Sequence, residues 1–470
     1  MTAQAGFGGP AALGGPAGAR FVPAARWAPV VESAHLAPLL AVVALLLVPP
    51  GLGPFAAGAE AGAGGGVGGG WGTLADAASA VLVGWCLVRV ARARVRPLTR
   101  TAAVVLGLPV LGVCAAAIAS HDPAAALPGF ARYLQVFVLV PASVVLLVRT
   151  RRDFAVVAWA FVALALAQGA IGTTQYLTGT GASYMGEDIR AVGTFGPTDV
   201  MGMATVVAYG LVAAVGLALG APDRGRARTA ALVCAGLLVF PLVVSFSRGA
   251  WIATVIACAA QLALAGPRRA VRAGLAVAAA CVVLVGGFGI GSTMVQERLT
   301  SITQVTAAPD RSVTDRYTMW AAAARMWSAE PVTGVGLKGF PAYRDGNASL
   351  ALSSGSDTAG AGRGFQRQAL LSPHNMYLLI LGEQGLLGVL ALAGGWLALL
   401  VCGLRRIPAA RRAGPGRDLA CALPAVGLLV WQLVDFAYAD IGGPSTVLTA
   451  VVIGLAAWWA LAPGTEGDHG

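Results

Sequence analysis

The pattern of hydrophobic and polar positions divides the chain into long apolar runs separated by polar connections. A helix that crosses a bilayer needs about 20 mainly apolar residues. By this criterion the sequence predicts about twelve transmembrane helices. They are expected near Leu36–Leu52, Leu74–Val90, Ala102–Ala119, Phe130–Val148, Phe154–Leu177, Val200–Leu219, Ala230–Phe246, Ala250–Ala265, Ala270–Ile290, Leu386–Gly403, Leu419–Tyr438 and Ser445–Leu461.

The composition requires a lipid environment for these runs. Apolar residues make up 57% of the chain, the mean hydropathy is +0.75, and only 11% of the residues are charged. Soluble domains carry about 25% charged residues. The sequence therefore predicts an all-α polytopic membrane protein. The net charge of +11 does not indicate nucleic-acid binding, because the basic residues lie between the apolar runs.

Basic residues alternate between the two ends of the predicted helices. The connections after the second, fourth, sixth, eighth and tenth spans contain Arg89–Arg100, Arg149–Arg152, Arg224–Arg228, Arg268–Arg272 and Arg405–Arg417. The connections after the first, third and eleventh spans contain none. Cytoplasmic loops are enriched in Lys and Arg. Both termini are therefore predicted to be cytoplasmic in a multi-pass plasma-membrane protein whose long loop is extracytoplasmic.

This topology divides the chain into five parts. Residues 1–33 are expected to be a disordered cytoplasmic tail, 34–290 the first nine membrane helices, 291–373 one large extracytoplasmic loop, 374–462 the last three helices and 463–470 a second tail. Within the loop, Arg316–Ala329 reads as a helix with an aromatic stripe. Such a stripe suits a helix at the membrane interface. Packing under the loop's own small core explains it equally well.

Cysteine usage and motif content argue against a metal or cofactor. The seven cysteines lie in or at the ends of apolar runs, and no CxxC occurs. Disulfides and thiolate metal sites are therefore not expected. The sequence also lacks DxD, HExxH and a GK[ST] phosphate loop. Any chemistry is expected to depend on side chains alone.

Two arginines on the predicted outer face are candidates for binding an anion. Arg248 follows Ser247 in the turn where the eighth span begins. A guanidinium beside the free N–H groups of a helix start suits phosphate. Arg316 begins the predicted loop helix. The simpler alternatives are an interfacial arginine for Arg248 and an ion pair with Asp315 for Arg316.

His374 is the candidate proton acceptor. Ser372 and Pro373 read as the N-cap and first residue of a helix, which would put His374 in its first turn. The helix dipole disfavours protonated imidazole there. A structural histidine is the alternative. Glu383 stands at the edge of the tenth span, where an unpaired charge is costly; it is expected to pair with an outer arginine, or else to position substrate.

Other residues near these segments complete the candidate set. The glycine-rich segment Pro331–Phe340 contains Lys338, the only lysine of the chain. Its glycines permit a tight backbone path, although the context of a phosphate loop is absent. The candidate substrate-binding residues are Ser247, Tyr377, Glu383, Lys338 and Arg190.

Taken together, these motifs resemble the O-antigen ligase and O-antigen polymerase (Wzy-type) superfamily of bacterial membrane glycosyltransferases. The resemblance covers roughly Gly193 to Gly388. The matching segments are Ser247-Arg248-Gly249, Arg316 to Trp320, Pro331 to Gly336, Pro373-His374-Asn375 and Glu383 to Gly388. Gly193–Asp199 also resembles a family segment, but Asp199 stands where Asn is more usual.

The resemblance implies a fold, a reaction and a set of roles. The fold would be a GT-C-like bundle of about twelve membrane helices with one large extracytoplasmic loop. Arg248 and Arg316 would hold the leaving pyrophosphate, and His374 would be the base. The reaction would transfer a glycan from a polyprenyl-pyrophosphate donor to a lipid, wall or protein acceptor, without metal and with inversion. Polymerisation of polyprenyl-linked repeat units and transport of a small anion or solute are the alternatives.

Overall fold

The computed structural model describes residues 34–50, 73–93, 98–184, 187–196, 199, 201–222, 225–268, 271, 311–348, 371–414 and 416–461. These residues form thirteen α-helices and one short hairpin. The helices are α1 (Ala37–Leu45), α2 (Leu74–Ala93), α3 (Arg100–Ile118), α4 (Pro123–Leu147), α5 (Arg151–Thr178), α6 (Gly202–Gly220), α7 (Arg226–Val243), α8 (Arg248–Ala265), α9 (Arg311–Ala329), α10 (Phe340–Asn347), α11 (Met376–Arg412), α12 (Arg417–Asp435) and α13 (Thr446–Leu461). The hairpin pairs β1 (Ala182–Tyr184) with β2 (Glu187–Arg190).

The predicted all-α polytopic fold is confirmed. Nine described helices are long and apolar enough to cross a membrane, and α1 and α13 are shorter apolar helices. These eleven correspond to all the predicted spans except the ninth. That span, Ala270–Ile290, falls almost wholly outside the described residues, as do both predicted tails.

The centre of the bundle is α6. Along its span, 89% of the residues are buried, because α5, α7, α8 and α12 pack around it. Small residues let these helices approach closely: a Cβ on Gly220 would lie 2.3 Å from the Cα of Ala420. The Gln261 amide, fully buried on α8, donates to the Val212 and Leu423 carbonyls at 3.0 Å each. By contrast, α2, α3 and α7 expose many leucines and valines, as expected of faces turned towards lipid.

The helix α11 is broken near its first third. Gly385 has φ 60° and ψ −158°, outside the helical range. The predicted apolar span begins near Leu386 and the predicted helix start is Pro373; the helix begins between the two, at Met376. The polar segment Gly382–Gly385, expected at the edge of the tenth span, is an interruption inside one long helix.

The segment 331–340 fills this break and is called here the inserted loop. Backbone groups released by the break pair with it at four points. Val335 N donates to Gly382 O (2.9 Å), Gly336 N to Glu383 O (3.1 Å), Leu386 N to Pro331 O (2.9 Å) and Leu387 N to Val332 O (3.2 Å). Irregular backbone at membrane depth is tolerated only where its polar groups are satisfied in this way.

The glycines of both segments are required by this contact. Gly334 has φ +67°, and a Cβ there would lie 2.4 Å from the carbonyl carbon of Glu383. A Cβ on Gly385 would lie 2.4 Å from the Val332 oxygen. The two glycine-containing motifs, far apart in the sequence, therefore interlock backbone against backbone.

Replacing Gly385 by alanine is expected to reduce the free energy of unfolding by about 1–3 kcal/mol for the positive φ alone, with the clash against Val332 added to it. Gly394→Ala, in the same helix with no atom within 4 Å of the new Cβ, is the matched control. Its effect should stay within about 1 kcal/mol. Thermal unfolding in detergent, followed by tryptophan fluorescence, measures both. Equal shifts in the two variants would contradict the interlocking contact.

Candidate functional site

Most of the predicted site segments lie around the connection between α12 and α13, residues 436–445, called here the α12–α13 turn. The segment 372–376 is fixed on it by several bonds. Met376 N donates to Phe436 O (2.8 Å) and Ala439 O (3.0 Å), the Asn375 amide donates to Ala437 O (3.1 Å), and the Ser372 hydroxyl donates to the Asp440 carboxylate. This turn therefore determines where His374 stands.

His374 lies just before a helix rather than inside one. The predicted N-cap at Ser372 is wrong: α11 begins at Met376, and the Asn375 side chain caps it by accepting from Leu378 N at 3.0 Å. Asn is itself a preferred N-cap, and the Ser372 hydroxyl is engaged with Asp440 while accepting from His374 N at 3.3 Å. His374 has φ +48° and an exposed side chain.

Arg248 is the first residue of α8, in agreement with the predicted helix start. The Ser247 hydroxyl caps this helix by accepting from Ala250 N at 3.3 Å. A Cβ on the next residue, Gly249, would lie 3.3 Å from the Tyr438 side chain. The N-terminus of α8 therefore abuts the α12–α13 turn, and a larger residue at 249 would press on it.

Arg190 joins the same neighbourhood from the hairpin. Its Nε donates to Ser245 O at 3.0 Å, and its Nη2 lies 3.4 Å from the Met201 sulfur. The Ser247 hydroxyl contacts the same sulfur at 3.6 Å. Arg190 is thus brought beside the turn that carries Arg248, although 58 residues separate them in the sequence.

Arg316 approaches from α9. Its charge acts on Asp435, the last residue of α12. One turn further along α9, the Trp320 indole donates to Pro373 O at 2.9 Å. Since residues i and i+4 share one face of a helix, the Arg316 face of α9 is turned towards the segment that carries His374. Met319 and Met326 of the same helix are buried, and α9 packs against α11.

The three segments with Arg248, Arg316 and His374 therefore meet at one turn. Two carboxylates of this region, Asp435 and Asp440, are not among the predicted site residues. The sequence could have indicated them by their position, because both acidic residues stand at the end of the eleventh apolar run. The catalytic roles assigned to the arginines and the histidine remain predictions.

Lys338 and Glu383 lie at the inserted loop. Glu383 is 2% exposed, and its Oε1 accepts from Phe340 N at 3.1 Å. The cation that acts on this carboxylate is Lys338, where the sequence suggested an arginine. The Lys338 side chain crosses Gly129 of α4, whose Cβ would lie 2.7 Å from its Cγ. Glu383 thus fastens the loop to the broken helix.

Tyr377 has a structural contact for its polar group. Its hydroxyl donates to Leu433 O at 2.7 Å, and its ring meets Trp396 and Phe436 edge-on. These contacts join α11 to α12 three residues after His374. A direct substrate contact by this residue stays a prediction. Among the residues described, no group of three or more His, Cys, Asp or Glu side chains is placed to hold a metal ion.

Comparison with protein families shows that residues 230–393 fit the family model described as O-antigen ligase. The matched region begins within α7 and ends within α11, so Arg248, Arg316 and His374 all lie inside it. Arg190 and the α12–α13 turn lie outside it. The comparison with curated proteins found no match.

Asp199 connects the start of α6 to the end of the α12–α13 turn. The backbone N–H groups of Met201, Gly202 and Ser445 lie near its carboxylate. A Cβ on Gly443 would lie 2.7 Å from its Oδ2. Burial of the carboxylate raises the pKa of Asp199 to about 6, against the three N–H groups, which lower it.

This pKa predicts a pH-dependent stability. Because the pKa rises from 3.8 to about 6 on folding, the contribution of Asp199 is fully present below about pH 4 and is lost as the pH rises through 6. Asp199→Asn should therefore gain stability relative to the wild type between about pH 5 and 7.5, by ~1–2 kcal/mol after allowance for solvent screening. Thermal unfolding in detergent across this range measures it. A difference that does not change with pH would contradict the assignment.

Proposed function

We propose that this protein, a member of the O-antigen ligase and polymerase superfamily, transfers a glycan from a polyprenyl-pyrophosphate donor to an acceptor at the outer face of the cytoplasmic membrane. The O-antigen ligase domain at residues 230–393 supports a role in membrane glycan transfer. The identity of the donor, the side of the membrane that the site faces and the mechanism all belong to this proposal.

The observation that carries the proposal is the convergence of three arginines and two helix N-termini around the α12–α13 turn. The N-termini of α8 and α11 both abut this turn. Helix N-termini attract anions. Arg248 and Arg190 stand at the first of them, and Arg316 faces the turn from α9. Such an arrangement suits a diphosphate, which gains negative charge as the sugar–phosphate bond breaks.

His374 is suited to take a proton from the attacking hydroxyl. Its side chain is exposed, and its backbone is held in an unusual conformation by Ser372 and the α12–α13 turn. Residues kept in sparsely populated conformations by their surroundings cluster at functional sites. With pyrophosphate as a good leaving group, one direct displacement is sufficient, which inverts the anomeric carbon.

The orientation follows from the arginines at the other ends of the helices. The helix α5 begins with Arg151 and Arg152, and α11 ends with Arg411 and Arg412. These groups lie at the ends opposite to the helix starts that form the site. With the positive-inside rule, the site faces the extracytoplasmic side, where a flipped lipid-linked donor is found.

Alanine at Arg248, Arg316 or His374 is expected to abolish most of the transfer activity. Loss of the base should lower kcat by about 10²–10⁴-fold, and loss of either guanidinium by a comparable factor, about 10²–10³-fold. Arg325→Ala, which removes an exposed arginine from the same helix as Arg316, is the control and should retain activity. The assay uses purified protein in proteoliposomes with polyprenyl-pyrophosphate glycan. Full activity in the three variants, at normal membrane insertion, would overturn the mechanism.

The product distinguishes the ligase from the polymerase. With donor alone, a polymerase lengthens the lipid-linked glycan, whereas a ligase requires a separate lipid, wall or protein acceptor. Mass spectrometry of the lipid-linked pool, with and without candidate acceptors, separates the two. We expect an unchanged donor length and a glycosylated acceptor.

A further inference from the structure

A buried polar cluster lies between α2 and α4, and it contains none of the residues assigned to the proposed site. Arg132 on α4 is 5% exposed and forms an ion pair with Asp76 of α2. Further bonds complete the cluster: Thr73 Oγ1 donates to Asp76 Oδ2 (2.8 Å), Arg132 Nη1 to Gln135 Oε1 (3.0 Å) and Gln135 Nε2 to Ser79 Oγ (2.6 Å). This set is called here the Arg132 cluster.

Such a cluster is costly in an apolar bundle. Ionisable residues within membrane segments are rare, and they are usually functional. A buried ion pair is also weak grounds for expecting stability, because desolvation offsets much of the attraction. The helix α4 changes to a π-turn at Gln135–Leu139, immediately after Arg132, and such turns are frequent at functional sites. The cluster therefore calls for a role beyond packing.

The second arm of the Arg132 guanidinium provides that role. Its Nη2 donates to the carbonyl of Gly443 at 3.3 Å. Gly443 closes the α12–α13 turn with φ +81°, and the Asp199 carboxylate lies against its other side. The same turn accepts hydrogen bonds from Met376 N and holds Ser372 through Asp440. Asp76, Arg132 and Gly443 are thus linked by polar contacts, and the backbone of the α12–α13 turn continues this link to the segment of His374.

We propose that Arg132, oriented by Asp76, is a positioning residue for glycan transfer, which fixes the α12–α13 turn and with it His374. The inference rests on the proposed function. The planar guanidinium can hold a carboxylate and a carbonyl at once in fixed directions, whereas a lysine ammonium offers no such fork. Neither residue contacts the donor; both act through the turn.

The effect is expected on turnover rather than on donor binding. In Arg132→Gln, the turn loses its charged anchor and His374 is displaced, and displacements of about 1 Å can cost about 10²-fold in rate. We expect kcat to fall by at least about tenfold and the donor KM to change by less than about threefold. Because Asp76 acts only through Arg132, Asp76→Asn should add little further loss in the Arg132→Gln background.

Hydrogen exchange provides a readout that does not depend on activity. In Arg132→Gln, the amides of residues 436–445 and of Met376 should exchange faster than in the wild type, by about tenfold or more if the turn opens locally. The matched control is Asp418→Asn, which breaks the Arg151–Asp418 ion pair between α5 and α12. It should leave both the exchange of this turn and kcat unchanged.

The outcomes separate the two proposals. Unchanged exchange at the turn in Arg132→Gln overturns the positioning role, whatever the activity. So does a loss of activity that follows the amount of folded protein alone, with kcat per folded molecule unaltered. If the turn opens as expected but the wild type transfers no glycan, the contact from Arg132 to the turn stands and the proposed function fails.

Discussion

The structure depends on a break in one membrane helix and on the loop that fills it. A helix satisfies its own peptide groups, so an interruption at Gly385 would leave carbonyls and amides unpaired in an apolar setting. The inserted loop supplies four backbone partners, and glycines on both sides allow the contact. Glu383, inside the break, fastens the start of α10 through Phe340 N. The inserted loop is thereby tied to the helix bundle.

This attachment determines what the rest of the loop can reach. The helix α9 ends two residues before Pro331, where the inserted loop begins. The N-terminal part of α9 brings the charge of Arg316 near Asp435, and it places the Trp320 indole in hydrogen-bond contact with Pro373. A guanidinium from a loop, a second from a helix start and an imidazole from a strained turn can then share one region. Rigid elements, rather than a mobile loop, hold the candidate groups.

Hydropathy predicted the fold well and the site only in part. Eleven described helices match predicted spans because each crossing requires a long apolar run, which a single sequence displays directly. The break at Gly385 was not predicted, because only the partners of Gly382–Gly385 in a distant segment show this polar stretch to lie inside a helix. The motif resemblance indicated Arg248, Arg316 and His374. Nothing local in the sequence joined Arg132 to Gly443, because such contacts between distant residues leave no periodic signal.

The break also has a consequence for biosynthesis. When α11 first leaves the translocation machinery, its peptide groups near Gly385 need partners from the inserted loop, which is itself held to α3 by the hydrogen bond from Leu337 N to the Ala116 carbonyl. Lateral release of this helix into lipid is costly until those partners arrive. Membrane integration and tertiary assembly are therefore coupled for this one helix.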